Sequence, residues 1–432
     1  MKRPLSKTLG TSRLKRLGLS GAIALLLAAC AHDATQSAQG PQPTPVILVS
    51  IDGFRPDYLK RDVTPNLNAL AASGVLADGM RPSYPSITFP NHYTLVTGRR
   101  PDETGIVGNT MDDPAIANEH FSLGNRTALI DRRWWDEAEP IWVTAEKQGV
   151  RSSTLFWPGS EADIHGVRPS DWLPFNSKMS SNDRVDHLLG WFDRTPDKRP
   201  RFATLYFDIV DHSGHENGPN APETTQAVAT VDTAIGRLVE GLKSRGIKAD
   251  IIVVSDHGMA AISDKRVIHV ENLSPAKTFH LVVGGAYAGI DPTPGNEAVL
   301  AANLTKKHAH VVCWAKADIP ERLHYGHNAR VPAFVCMPDD GWVIEAGKWK
   351  PHNPNGGDHG YDNQEPDMMA TFLASGPAFQ PGTHIATFDN VDVYPLVMTL
   401  LGLKPLPSDG TIAPFAPALA QDVSTATPAA SH

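Results

Sequence analysis

Three short apolar runs constrain this chain more than any other feature. Residues 46–51, 202–207 and 251–254 are rich in β-branched and aromatic side chains and show no polar alternation. A strand with one wet face alternates, whereas a strand covered on both faces does not. The runs therefore predict an α/β fold with a central, mostly parallel sheet sandwiched by helices. Each run leads into an acidic or Asp/His motif: Asp52-Gly53, Asp211-His212-Ser213-Gly214-His215, and Ser255-Asp256-His257-Gly258. Open α/β sheets bind ligands beyond the carboxyl ends of their strands. A fourth element, Gly356-Gly357-Asp358-His359-Gly360, places a histidine in a glycine-rich stretch.

The intervening sequence supplies the covering layers. Thr64-Pro65 opens a helix that Gly74 ends. Residues 139–145 read as a helix start, 151–157 as a strand, and 171–176 as a loop carrying two aromatics. A long amphipathic helix spans 223–245, with Val228, Val231, Ile235, Leu238 and Leu242 on one face. Residues 368–374 read as a strand and 390–401 as a closing helix. Residues 268–343 read as an inserted irregular segment, a possible subdomain.

The N-terminus is set apart. Lys2, Arg3, Lys7, Arg13, Lys15 and Arg16 precede an uncharged, mostly apolar run over 17–29. That run is shorter than the ~20 residues of a membrane-spanning helix, so 1–29 reads as a secretory signal. It ends Leu27-Ala28-Ala29-Cys30, which resembles a bacterial lipoprotein signal with Cys30 lipidated. Ala31 in place of Asp favours the outer membrane. The expected location is periplasmic, with membrane contact only through that lipid. Residues 30–44 read as a flexible tether, 45–413 as the catalytic domain, and 414–432 as a flexible tail. Past residue 29 the chain carries 33 basic residues against 47 acidic ones, which argues against a surface that wraps nucleic acid. No protein partner is inferred. Cys313 and Cys336 are the only cysteines after Cys30. They can pair in an oxidising compartment if the fold brings their Cα atoms together.

The chemistry centres on Pro85-Ser86-Ile87-Thr88-Phe89-Pro90-Asn91-His92, read as the entry to a helix ending at Gly98. A helix start offers free N–H groups and partial positive charge to a phosphate. Thr88 there is either a helix cap or a nucleophile awaiting a metal or base. Carboxylates gathered at one sheet edge repel unless a cation holds them, and Asp with His suits zinc. The ligands divide into two sets: Asp211, His215 and His359, with an open position, and Asp52, Asp256 and His257, with Thr88 as fourth. Two metals ~4 Å apart clamp both oxygens of an in-line phosphoryl displacement. Asp208 and His212 have the same spacing as Asp211 and His215, and spacing alone does not choose between them. Asn109, flanked by glycine, is a turn residue or an amide donor to an oxyanion.

Together, Asp52-Gly53-Phe54-Arg55, Thr88-Phe89-Pro90-Asn91-His92, Asp211 to His215, Ser255 to Met259 and His359 to Asn363 resemble the nucleotide pyrophosphatase/phosphodiesterases of the alkaline phosphatase superfamily. The chain is similar to their compact bacterial form from xanthomonads, over about residues 45–403. The resemblance implies an alkaline-phosphatase-like core, two Zn2+ ions and nucleotide substrates. It selects Asp211 and His215 over the alternative pair. It makes Thr88 the nucleophile through a covalent intermediate, and Asn109 with the Thr88 N–H the oxyanion donors. Phe89 becomes one side of a base-stacking slot and Trp172 the other. The product would be a nucleoside 5′-monophosphate. The chain lacks the Arg of the sulfatase nucleophile motif after Thr88, and no Arg neighbours Thr88 in sequence to clamp a monoester. The alternatives are a lipid or choline-head-group phosphodiesterase, a phosphomonoesterase, or a metal- or nucleotide-binding lipoprotein without turnover.

Overall fold

The three apolar runs lie side by side in one eight-stranded sheet of a computed structural model, which describes residues 43–116, 119–347 and 355–421. Its strands are β1 (Val46–Ile51), β2 (Val75–Ala77), β3 (Ser152–Leu155), β4 (Asp171–Leu173), β5 (Phe202–Phe207), β6 (Asp250–Val254), β7 (Phe372–Ser375) and β8 (Thr383–Ile385). Their order across the sheet is β8-β2-β7-β6-β1-β5-β3-β4. All run the same way except β7, which is antiparallel to both of its neighbours. The helices that matter to the site are α1 (Pro65–Ala72), α2 (Thr88–Thr97), α3 (Arg126–Ile130), α4 (Ser181–Phe192), α5 (Ile209–Asn217), α6 (Pro222–Ser244) and α7 (Val393–Leu401).

The absence of alternation in β1 has the expected cause. Val46 and Leu48 enter a core cluster built with α2 and α7. Ile47, Val49 and Ile51 enter a second cluster with α1, α4 and α6 on the opposite face. The apolar face of α6 buries Val228, Val231, Ile235, Leu238 and Leu242, as its 3.6-residue period predicts. The signal, Cys30 and most of the tether fall outside the described residues.

Three boundaries differ from expectation. Residues 268–343 are more regular than they read. Phe279–Val283, Ala288–Pro292, Phe334–Pro338 and Val311–Ala315 form a four-stranded antiparallel sheet with its own apolar cluster. These strands are short and broken by Gly and Pro, so no long period marks them. Cys313 and Cys336 are directly opposite across two of them and form a disulfide. The tail does not begin at 414: Ala413–Ala418 forms a 3-10 helix that buries Phe415, and Leu419 bridges to Phe379. Ala and Pro dominate there, but one buried aromatic is enough to dock the segment. The strand read at 368–374 begins at Phe372, because Pro366–Met368 is a 3-10 turn.

Candidate active site

β1 delivers Asp52 and β6 delivers Asp256 and His257 to one edge of the sheet. After β5 the chain turns directly into α5, and the four-residue spacing sets Asp211 and His215 on one helix face. Gly53 turns the chain at φ +67°, and a Cβ there would lie 3.1 Å from Asp211 Cα. That lets the two segments meet. Thr88 is the first residue of α2, and the N-cap position is taken by Ile87, which has no hydroxyl to cap with. The start of α2 is held by Asn91 instead. Its Oδ1 accepts the Ser83 N–H at 2.7 Å, and its Nδ2 donates to Ile87 O at 2.8 Å and Pro85 O at 3.0 Å.

The side chains converge as two sets. His257 Nε2 lies 3.4 Å from Asp52 Oδ1, 2.9 Å from Asp256 Oδ2 and 3.3 Å from Thr88 Oγ1. Asp211 places Oδ2 3.5 Å from His215 Nε2 and Oδ1 3.5 Å from His359 Nε2. The His257 and His359 rings stack at 3.5 Å, joining the sets. Sequence reasoning missed Asp358, which also lies within ligand distance of His215 and His359. The alternative pair is spoken for: Asp208 ion-pairs with Arg184 at 2.8 Å, and His212 is exposed.

Whether these residues fit a cation is decided by their hydrogen bonds. Each ligand histidine faces a carbonyl with Nδ1: His257 to Gly258 O at 2.8 Å, His215 to Gly357 O at 2.9 Å, and His359 to Ser86 O at 3.1 Å. Nδ1 therefore carries the proton, and the Nε2 lone pairs point inward. The Nε2 atoms of His215 and His359 face each other at 3.0 Å. Two lone pairs at that distance repel unless a cation or a proton lies between them. Asp52 Oδ1, Asp256 Oδ2 and Asp211 Oδ1 are buried without a hydrogen bond. A donor set of buried orphaned oxygens and inward imidazole nitrogens fits a divalent cation at each position.

Burial alone would lower His215 and His257, but the carboxylates of Asp211 and Asp256 raise them, a crowding of charge that a cation would relieve. Burial, then the facing carboxylates of Asp256 and Asp211, push Asp52 well above the usual carboxylate range. Burial alone would raise Asp256 too, but His257 and His92 hold it well below that range. Burial and the neighbouring imidazoles of His257 and His215 keep His359 neutral. Supporting side chains fix the carboxylates. Tyr206 donates its hydroxyl to Asp52 Oδ2 at 2.6 Å. His92 Nδ1 donates to Thr88 O at 2.9 Å and lies 3.3 Å from Asp256 Oδ2.

An aromatic-lined cleft of about 200 Å³ opens beside Thr88 and Asp52. Phe89 forms one wall, packed against Phe121 and Trp135. Asn109 Oδ1 accepts the Phe89 N–H at 2.9 Å, which leaves its NH2 group to donate. Trp172 is not in this cleft. It sits on edge strand β4 beneath Arg168 and lines a separate open groove with His187 and Trp191. The second wall is Phe175, in the loop after β4, with Phe156 and Tyr206 beside it. The stretch 171–176 is not the single loop expected: Asp171–Leu173 is β4, so Trp172 lies on a strand while Phe175 lies in the loop after it, and only the fold shows which aromatic turns inward.

Residues 46–362 match the family model described as type I phosphodiesterase / nucleotide pyrophosphatase. The chain is 38% identical to a Schizosaccharomyces pombe protein described as an uncharacterized pyrophosphatase/phosphodiesterase, over 85% of this chain and 78% of that one. It is 38% identical to a Xenopus laevis bis(5′-adenosyl)-triphosphatase, over 85% of this chain and 80% of that one. It spans about half the length of the snake-venom phosphodiesterases that it also matches. Its fold superposes with a TM-score of 0.83 and 35% identity on an inactive threonine-to-alanine variant of murine ectonucleotide pyrophosphatase/phosphodiesterase 5 in complex with AMP, covering 87% of this chain and 100% of that one. The sheet order, the converging Asp/His sets and these likenesses lead to one conclusion: the chain belongs to the type I phosphodiesterase / nucleotide pyrophosphatase family of the alkaline phosphatase superfamily.

Proposed function

We propose that this protein hydrolyses nucleotide phosphodiester and pyrophosphate bonds and releases a nucleoside 5′-monophosphate. The observation that carries the reading is the meeting of Thr88 Oγ1 with two inward-facing Asp/His sets at the mouth of an aromatic cleft. Asp211, His215 and His359 would hold one zinc ion, and Asp52, Asp256, His257 and Thr88 Oγ1 the other. When bound, zinc supplies Lewis acidity that favours the Thr88 alkoxide and offsets charge on the departing oxygen. The rest falls to the chain. Phe89 and Phe175 sandwich the base and bring the 5′-phosphate to the start of α2. Thr88 Oγ1 attacks phosphorus, and the bond to the leaving oxygen breaks. A water oxygen then attacks the same phosphorus, the Thr88 Oγ1–P bond breaks, and the monophosphate leaves. The Asn109 NH2 and the first-turn N–H of Thr88 donate to the phosphoryl oxygen as its charge builds. That an inactive threonine-to-alanine form of the murine relative was captured with AMP supports both the nucleophile and the product.

The deciding experiment is hydrolysis of p-nitrophenyl thymidine monophosphate beside p-nitrophenyl phosphate, on zinc-loaded and chelated protein. Zinc-dependent preference for the diester is expected. Preference for the monoester would make the protein a phosphatase. Glycerophosphocholine in the same panel tests the head-group alternative. We further propose export and lipidation at Cys30. Labelled palmitate should enter the protein and be lost from the Cys30→Ser variant.

A further inference from the structure

The two walls of the cleft are held very differently. Phe89 is fixed by α2 and by the packed rings of Phe121 and Trp135. Phe175 lies in a loop, and its residue is 45% exposed. Its ring leans on Phe156 at 5.5 Å and Tyr206 at 6.0 Å, edge to face. Edge-to-face contacts occur over a range of about 4.5–7 Å between ring centroids, so by themselves they leave the distance loosely set. What holds the backbone is one carboxylate. Glu161 Oε1 accepts the Phe175 N–H at 3.0 Å. The same Oε1 accepts Arg126 Nη1 at 2.8 Å, and Arg126 Nη2 bonds Oε2. Arg126 opens α3, the helix that places Leu129 on the cleft just after Leu123. Glu161 therefore ties the segment beside Phe89 to the backbone that carries Phe175. Its side chain is only 12% exposed, while Arg126 is 49% exposed.

We propose that Glu161 is a positioning residue that sets the width of the nucleoside slot by bracing its two walls together. This inference rests on the nucleotide-diesterase reading above. With three donors already on its carboxylate, Glu161 acts through Phe175 on whichever base is present. A brace of this kind governs how well any base stacks and leaves the chemistry at Thr88 alone. It also explains how an exposed loop aromatic can serve as a wall at all.

The test is steady-state kinetics of zinc-loaded Glu161→Ala, Glu161→Gln and Arg126→Ala on the p-nitrophenyl esters of thymidine and adenosine monophosphate, with methyl p-nitrophenyl phosphate as a diester that has no base. Base–aromatic stacking is worth enough that E161A should raise KM for both nucleotides about tenfold, with kcat changed less than about twofold. The ratio of nucleotide to methyl-ester kcat/KM should fall by the same factor. E161Q retains an acceptor for the Phe175 N–H and should recover most of the loss, and R126A should fall between. A KM change confined to one base would mean that Glu161 reads the base itself. An equal loss on the methyl ester would mean general damage. Unchanged KM values in all three variants would mean that no brace exists. Each of these overturns the proposal while wild-type nucleotide hydrolysis stands. A wild type inactive on both nucleotide esters but active on the methyl ester would instead remove the nucleotide reading and the slot with it.

Discussion

Thr88 shows how little a single residue declares by itself. A threonine between prolines at a helix start is most often a cap, yet the N-cap here is Ile87 and the Thr88 hydroxyl sits 3.3 Å from His257 Nε2. Thr88→Ala should lower diester turnover by a factor of at least about 10³, because removing a nucleophile leaves only binding and charge stabilisation. Metal content measured on the same sample should stay near wild type; an active variant would sink the nucleophile assignment. Tyr206 makes a subtler case. Tyr206→Phe keeps the ring against Phe175 and His92 but removes the 2.6 Å bond to Asp52 Oδ2. Loss of such a supporting bond costs roughly 10-fold in metal affinity, which competition with a chromogenic chelator would read directly. The six Asp and His ligand candidates were legible because charged residues just after buried strands, and a histidine in a glycine-rich stretch, are out of place. Phe175 and Glu161 were not, because loop residues carry no period and their partners come from distant segments.

Elements were more legible than loops. β1, β5 and α6 announce themselves through unbroken apolar runs or a clear helical period, since packing on both faces or on one stripe forces those patterns. The four-stranded antiparallel sheet was not read, because its short strands lie between Gly and Pro breaks. A short turn joins β1 to the 3-10 helix Pro56–Lys60. Gly53 there has φ +67° and lies against Asp211. Gly53→Ala should cost on the order of 1–2 kcal/mol from the left-handed backbone alone. It should also push α5 outward, so zinc stoichiometry should fall together with the melting temperature. A lowered melting temperature with full metal content would show that α5 does not depend on this turn.

The whole molecule has a pH dependence that does not come from its site. Asp250, at the start of β6, is buried, and burial raises its carboxyl to about 6 despite the Ala378 N–H that it accepts. A carboxyl raised on folding favours the protonated chain. Its contribution is fully present below the unfolded value of 3.8 and is lost as pH rises through about 6. Asp250→Asn, which keeps an acceptor oxygen for Ala378, should therefore stabilise the protein by roughly 1–3 kcal/mol at pH 7.5 and by little at pH 4. Denaturant unfolding at the two pH values would check the sign. The dispersion of the ligands along the chain bears on assembly. Asp52 is made early, and His359 comes only after the long α6, the disulfide-linked sheet and every strand but two of the main sheet. The set of Asp52, Thr88, Asp256 and His257 is complete once β6 has been made, whereas the set of Asp211 and His215 waits for His359. The ion of the His359 set therefore cannot seed this fold and would arrive as its clasp, so a chain truncated before residue 359 should hold at most one divalent metal ion where the full chain holds two.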